Sequence, residues 1–513
     1  MGLATALAAC GGPSGEPTPT APAEIVKAEA LTVAFVGPPL VGLDPAKSGG
    51  GDSIIYTTPA YDSLIWKAPD GELVPWLATE WEYVGDDNTE FEMTLREGVE
   101  FSDGEPFNAE AVKTWLEYFV SAGGTLGAQL AGLDTVEVVD EFTVHLTMKS
   151  PNPILPELFS QNWGAGYVAS PKAIATPGLL DNETAGTGPY MLDPAQTVTG
   201  DTYTYVENPN YWNPDAQHYE KVVVRVIGDP NAMLAAVQAG ELDFAVGSAA
   251  VAAAAVAGGV NVINVPGRAQ QGLVLADRDG VLQPELADVA VRQAINYAID
   301  SDAIATALNG DYASGSKQLL LPGESGYVED RGYPYDPDKA RELLEEAGYG
   351  DGFTLNVTCG IPLGHCPIVE AVASQLAEVG ITVAIDAQSA VPAFNEKVTG
   401  ALAPAFTFNL GAPLSYLAFQ GSVTSKVVNP FKLADAEVND LIAEAASAPA
   451  DEQEAMWSEL ADLINDKAWF APVVFRDSVF YRGEAVQGEM PTAGNPTYIP
   501  FSPIPDRAWY STE

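Results

Sequence analysis

Apolar and polar residues fall into short blocks along this 513-residue chain, and most blocks have a readable period. Leu31-Thr32-Val33-Ala34-Phe35-Val36 is a β-type run closed by Gly37-Pro38-Pro39. Phe91, Met93 and Leu95 recur every second residue, as in a half-buried strand. Asp103-Gly104 marks a turn. Asn108 then stands where it caps a helix carrying Ala111, Val112, Trp115, Leu116 and Phe119 on one face. Residues 136–148 alternate again, and Val222 to Ile227 reads as a more fully buried strand. Asp229-Pro230 opens a helix through Met233, Leu234 and Val237, and Gly240 closes it. Val289 to Ile304 and Pro337 to Ala347 have helical spacing, and Thr354 to Thr358 alternates as a strand. Strands and helices that alternate over this length predict an α/β protein of several lobes.

Composition narrows the function classes. The chain holds 23 Lys+Arg against 70 Asp+Glu, a formal net charge of −47. By size scaling this is roughly one excess negative charge per 380 Å² of surface. Such a field repels phosphate backbones and anionic headgroups, which argues against nucleic acid and a polybasic membrane contact. With 47% hydrophobic residues the chain is expected to fold. No apolar run reaches membrane-spanning length; Ala245 to Val260 is mostly Ala and Gly. Three Cys and three His leave little material for a metal site or a thiol enzyme.

The start of the chain bears on location. Nine uncharged residues lead to Leu7-Ala8-Ala9-Cys10, a tetrapeptide that resembles the bacterial lipobox. That resemblance implies cleavage before Cys10 and acylation of its thiol. The basic n-region and longer h-region of a signal peptide are missing, so the leader reads as truncated. Pro13, Pro17, Pro19 and Pro22 then make a semi-extended tether. Acyl group, tether and folded body predict an exported protein held at the outer face of the bacterial cytoplasmic membrane by a lipid anchor. Cys359 and Cys366 flank a Gly- and Pro-rich loop. They read either as a disulfide in an oxidising compartment or as two buried free thiols. His365 between them lacks a fourth ligand nearby, so no metal is expected.

Five stretches, in order, are similar to the family 5 extracellular solute-binding proteins of ABC importers. They are Leu73 to Trp81 with Thr94 to Val112; Gly186-Thr187-Gly188-Pro189-Tyr190; Asn208-Pro209-Asn210-Tyr211-Trp212 with Ala239 to Asp243; Val291 to Asp300; and Tyr335 to Leu344 with Ala347-Gly348-Tyr349. The resemblance implies a periplasmic-binding-protein-like α/β fold of the class II, type C-like cluster. Two lobes would close by a hinge, and an extra domain would be inserted. The implied division is 1–24 leader and tether, 25–55 with 180–265 and 485–513 as lobe one, 56–179 as the inserted domain, and 266–484 as lobe two. The implied partners are a small-molecule or peptide ligand and the permease and ATPase subunits of an importer, with the binding protein a monomer. No cofactor and no catalytic residue are implied. The motifs also have a plain physical reading as scaffold: tight turns, helix faces, and Arg292 pairing with an acid such as Asp288.

Ligand contacts are expected in three places. Peptide-binding members carry a segment whose aspartate pairs with the ligand ammonium. Its best match here is Ala405 to Leu417, in which Phe406 replaces a tryptophan and Asn409 replaces the aspartate. An amide cannot neutralise a buried ammonium, so an uncharged, blocked or differently oriented ligand becomes easier to fit. The resemblance implies an oligopeptide or dipeptide as the solute, with an uncharged solute such as an oligosaccharide as the alternative. Gly49, Gly50 and Gly51 would allow close main-chain approach. Asp277 follows an apolar strand and either faces the cleft or caps Arg278. Trp163 and Tyr167 either wall the pocket or pack in a core. The rival class is an exported hydrolase, but none of His145, His218 and His365 has a nucleophile motif beside it.

Overall fold

Two long strands, Asn261–Leu275 and Phe470–Arg482, run antiparallel along their whole length and carry the rest of the molecule on either end. The computed structural model describes residues 25–39, 41–47, 51–411, 414–492 and 509–512, without the side chains of 51–53, 125 and 268. Cys10, Gly49 and Gly50 lie outside the described residues.

At one end the long pair joins Phe244–Val246, which is parallel to Ala28–Phe35 and through it to Tyr219–Val226. Thr202–Glu207 and Tyr190–Leu192 extend this edge. At the other end Asn261–Leu275 pairs with Ala405–Leu410, followed by the parallel strands Phe353–Gly360 and Ile381–Gln388. Helices pack on the sheet, as open α/β folding requires, and the parallel strands bury one set of alternate residues most deeply. Val222, Val224, Leu355 and Val357 are fully buried.

A separate four-stranded antiparallel sheet, in the order Ala78–Val84, Glu90–Leu95, Thr143–Met148, Leu133–Asp140, packs against the helix Ala109–Ser121. Phe91, Met93 and Leu95 point inward, as their alternation predicts. The Asn108 side chain accepts from the Ala111 N–H at 3.0 Å and starts the helix.

Two expectations change, and one open alternative closes. The helical pattern from 289 to 304 is two helices, Val289–Tyr297 and Ser301–Asn309, because Asp300 accepts from the Ala303 N–H and caps the second. Arg292 does not pair with Asp288, whose carboxylate caps Ala290. Its guanidinium donates instead to the carbonyls of Leu286, Ala287 and Lys467. Of the two readings left open for Cys359 and Cys366, the structure has the disulfide, with Cα atoms 5.3 Å apart. Among the described residues no helix is long and apolar enough to cross a membrane.

Candidate functional site

Register locates the site. Phe244–Val246 runs from opposite Arg482 toward Phe480, and Ala405–Leu410 runs from opposite Leu275 toward Gln270. Both therefore point at the middle of the long strand pair. Each is parallel to its neighbour on the outer side, so the C-terminal ends of both sets of parallel strands face the same region. Ligands in open α/β sheets bind outside the carboxyl ends of strands.

The middle of the pair is built to bend. The register slips between Val265 and Ala269. Pro266 cannot donate to the ladder, and Gly267 takes φ +63, open to glycine at little cost. Asp477 holds this turn: its carboxylate accepts from the Gly267 N–H at 3.1 Å and from Asn264 Nδ2 at 2.7 Å.

A cavity of about 740 Å³ opens here, with Val36, Gly247, Ser248, Tyr312, Arg476 and Asp477 in its walls. On the second half, the Ile361 to His365 loop leaves the strand Phe353–Gly360 at the same end and is closed by the disulfide. His365 is buried, with Nδ1 3.2 Å from Thr407 Oγ1. Burial lowers its pKa, and the nearby positive charge of Arg476 lowers it further. Asp386 is occupied by Lys397, by Thr358 Oγ1 at 3.1 Å and by Gln388 Nε2 at 2.7 Å.

The predicted contact residues separate. Asn409 is exposed near the cleft end of its strand, opposite Gln271. Phe406 lies farther back, opposite Val274, and is a core side chain at 1% exposure. Asp277 follows the end of the long strand remote from the bend. It is fully buried, and its carboxylate accepts from the N–H groups of Val281, Leu282 and Gln283 at 2.9, 2.6 and 2.7 Å. It holds a turn, and neither faces the cleft nor caps Arg278, whose guanidinium meets Asn429 and Trp469 instead. Gly51 begins the helix Gly51–Thr57. Trp163 and Tyr167 pack in the core.

Two features escaped the sequence. Arg476 carries no motif, and only pairing places it at the bend. The second is a junction where several motifs meet. The Arg96 guanidinium lies 4.4 Å from the Trp212 ring centre and 5.7 Å from that of Trp76, and Trp212 Nε1 donates to buried Asp62 at 2.9 Å. Burial pushes the Asp62 carboxyl up to about 7, against the opposing pull of the Trp212 and Trp76 N–H groups and of Arg96. Gly186 and Gly188 press on the same stretch: a Cβ on Gly186 would come within 2.2 Å of the Ala60 carbonyl oxygen. The first three motif stretches thus meet as scaffold around residues 60–62, while Val291 to Asp300 and Tyr335 to Leu344 pack in a separate core. A further cavity of about 540 Å³ beside Arg278 and Trp469 lies at the end remote from the bend, where Asp279, Asp435 and Asp466 also line it.

The model of the bacterial extracellular solute-binding proteins, family 5 middle, matches residues 72–418. The glutathione-binding protein GsiB of Salmonella typhi is 31% identical over 307 residues, and the match covers 58% of each chain. The match therefore spans little more than half the length of these curated relatives. The ABC transporter substrate-binding protein CtaP of Listeria monocytogenes superposes with a TM-score of 0.79 at 20% identity, covering 95% of this chain and 100% of that one. The periplasmic binding protein DppA of Helicobacter pylori, in complex with peptide STSA, gives 0.74 at 21% identity, covering 95% and 99%.

Proposed function

The chain belongs to family 5 of the bacterial extracellular solute-binding proteins, and from that footing we propose that it is the substrate-binding component of an ABC importer, capturing a short peptide in the cleft at the bend. The observation that carries the reading is the convergence of two sets of parallel strand ends on a two-stranded hinge. Closure around a ligand is then a rotation of one lobe on the other, driven by higher affinity in the closed state. The names of relatives support a peptide-like solute: glutathione is a tripeptide, and DppA holds peptide STSA.

The lobes of this reading are 25–55, 180–265 and 485–513 for one and 266–484 for the other, with 56–179 inserted. Cys10 carries the acyl anchor, the body is a monomer, and a permease and an ATPase receive the solute. An uncharged ligand is the second reading. Exposed Asn409 favours it, since an amide near the cleft end of its strand offers an ammonium no counter-charge.

Thermal unfolding in the presence of glutathione, peptide STSA and neutral oligosaccharides tests the reading. A ligand at 100 times its Kd stabilises the fold by about 2.7 kcal/mol. No stabilisation by any of them, or their hydrolysis by the protein, overturns it. Cys10→Ala is expected to move the protein from the membrane fraction to the soluble one.

A further inference from the structure

Among the described residues, Arg476 is the one cation that lines the cleft cavity. Acids outnumber cations 70 to 23, and some lysines take two acids each: Lys47 pairs with Asp44 and Asp181, and Lys467 with Asp435 and Glu437. Arg476 is exposed in the wall of the 740 Å³ cavity and has neither an ion pair nor a side-chain hydrogen bond among the described residues. It sits on the hinge strand itself, opposite Ala269 at the register slip and opposite Ala313 on its other side.

Two acids, Asp311 and Asp477, share the cavity wall with it. Asp477 is committed to Asn264 and to the Gly267 N–H, and Asp229 caps the helix Pro230–Gln238 through Ala232. Asp311 lines the cavity without pairing with Arg476. Buried His365, which feels the charge of Arg476, adds no negative charge. The N-terminal residues Pro230, Ala249 and Ala250 of two helices also line the cavity, and helix N-termini favour anions.

From this geometry we infer that Arg476 is the counter-charge for a carboxylate of the bound solute, so that the cleft selects acidic or free-acid ligands. A guanidinium donates two parallel N–H bonds to a carboxylate, and no side chain among the described residues competes for those donors. The inference rests on the solute-binding reading above. It gives the solute's negative group a counter-charge; for an ammonium Asn409 offers none, whereas Asp311 in the cavity wall does.

The test compares matched probes: glutathione and peptide STSA as free acids and with their carboxylates amidated, titrated calorimetrically into the wild type, Arg476→Gln and Arg476→Lys. The wild type is expected to prefer the acid over its amide by about ten- to a hundredfold. Arg476→Gln should bring that ratio to about one while keeping the wild-type melting temperature, and Arg476→Lys should retain a preference. An unchanged ratio in Arg476→Gln overturns the inference and leaves the solute-binding reading standing. Wild type that binds no probe overturns both.

Discussion

Asp62 shows what burial does to a single group. Its carboxyl is buried beneath Trp76, Trp212 and Arg96, and its folded pKa of about 7 lies above the ordinary 3.8. The folded chain thus holds the proton more tightly than the unfolded chain. Stability is therefore highest, on this account, below about pH 4 and falls as pH rises toward 7. Asp62→Asn keeps an acceptor for the Trp212 N–H and removes the charge. It should raise the melting temperature at pH 8, by at most about 4 kcal/mol of stability, and leave it unchanged at pH 4. A variant less stable than wild type at pH 8 would show that the ionised form is the one the indoles and Arg96 hold. Nothing around Asp62 in the sequence signals this; Trp76, Arg96 and Trp212 were legible as motif residues, but not as neighbours. Asn88 is a similar case. It takes φ +55 in the Asp86-Asp87-Asn88 turn, and its Nδ2 donates to the carbonyls of Ala446 and Ala448, both at 2.9 Å. A turn is readable locally, but a partner some 360 residues away is not.

At the scale of elements the period of the sequence was informative wherever one face is buried. The strand at 91–95 and the helix Ala109–Ser121 follow their patterns residue by residue. The pattern missed breaks made by side-chain caps, as at Asp300, because a cap changes the backbone without changing the hydrophobic period. The disulfide joins two such elements. Cys359 closes a strand and Cys366 opens a helix, so the bridge fixes the loop that carries His365 to the cleft. For so short a loop, chain entropy gives about 2–3 kcal/mol. Cys359→Ser with Cys366→Ser should lose about that much in urea unfolding and should also weaken solute binding, because the loop must be ordered at each binding event. A double variant with wild-type stability and affinity would make the bridge an ornament of the loop rather than its support.

The whole molecule is governed by charge and by the hinge, and the sequence exposed one more clearly than the other. The net charge of −47 is plain arithmetic, whereas the hinge needs the pairing of strands some 200 residues apart. Even if every one of the 23 cations took one acid, 47 acids would be left to repel one another. That repulsion opposes the compact state, and salt screens it: the Debye length falls from about 10 Å at 0.1 M to about 3 Å at 1 M. The melting temperature is therefore expected to rise between 0.1 and 1 M NaCl, read by calorimetry without ligand; a fall would mean that the paired cations matter more than the excess of acids. Binding should respond in the opposite sense. The attraction between Arg476 and a carboxylate is screened by the same ions, so affinity for free-acid probes should drop over that range while affinity for their amides holds. Salt that stabilises the fold and weakens only the acids would separate the charge that covers the surface from the one placed at the hinge.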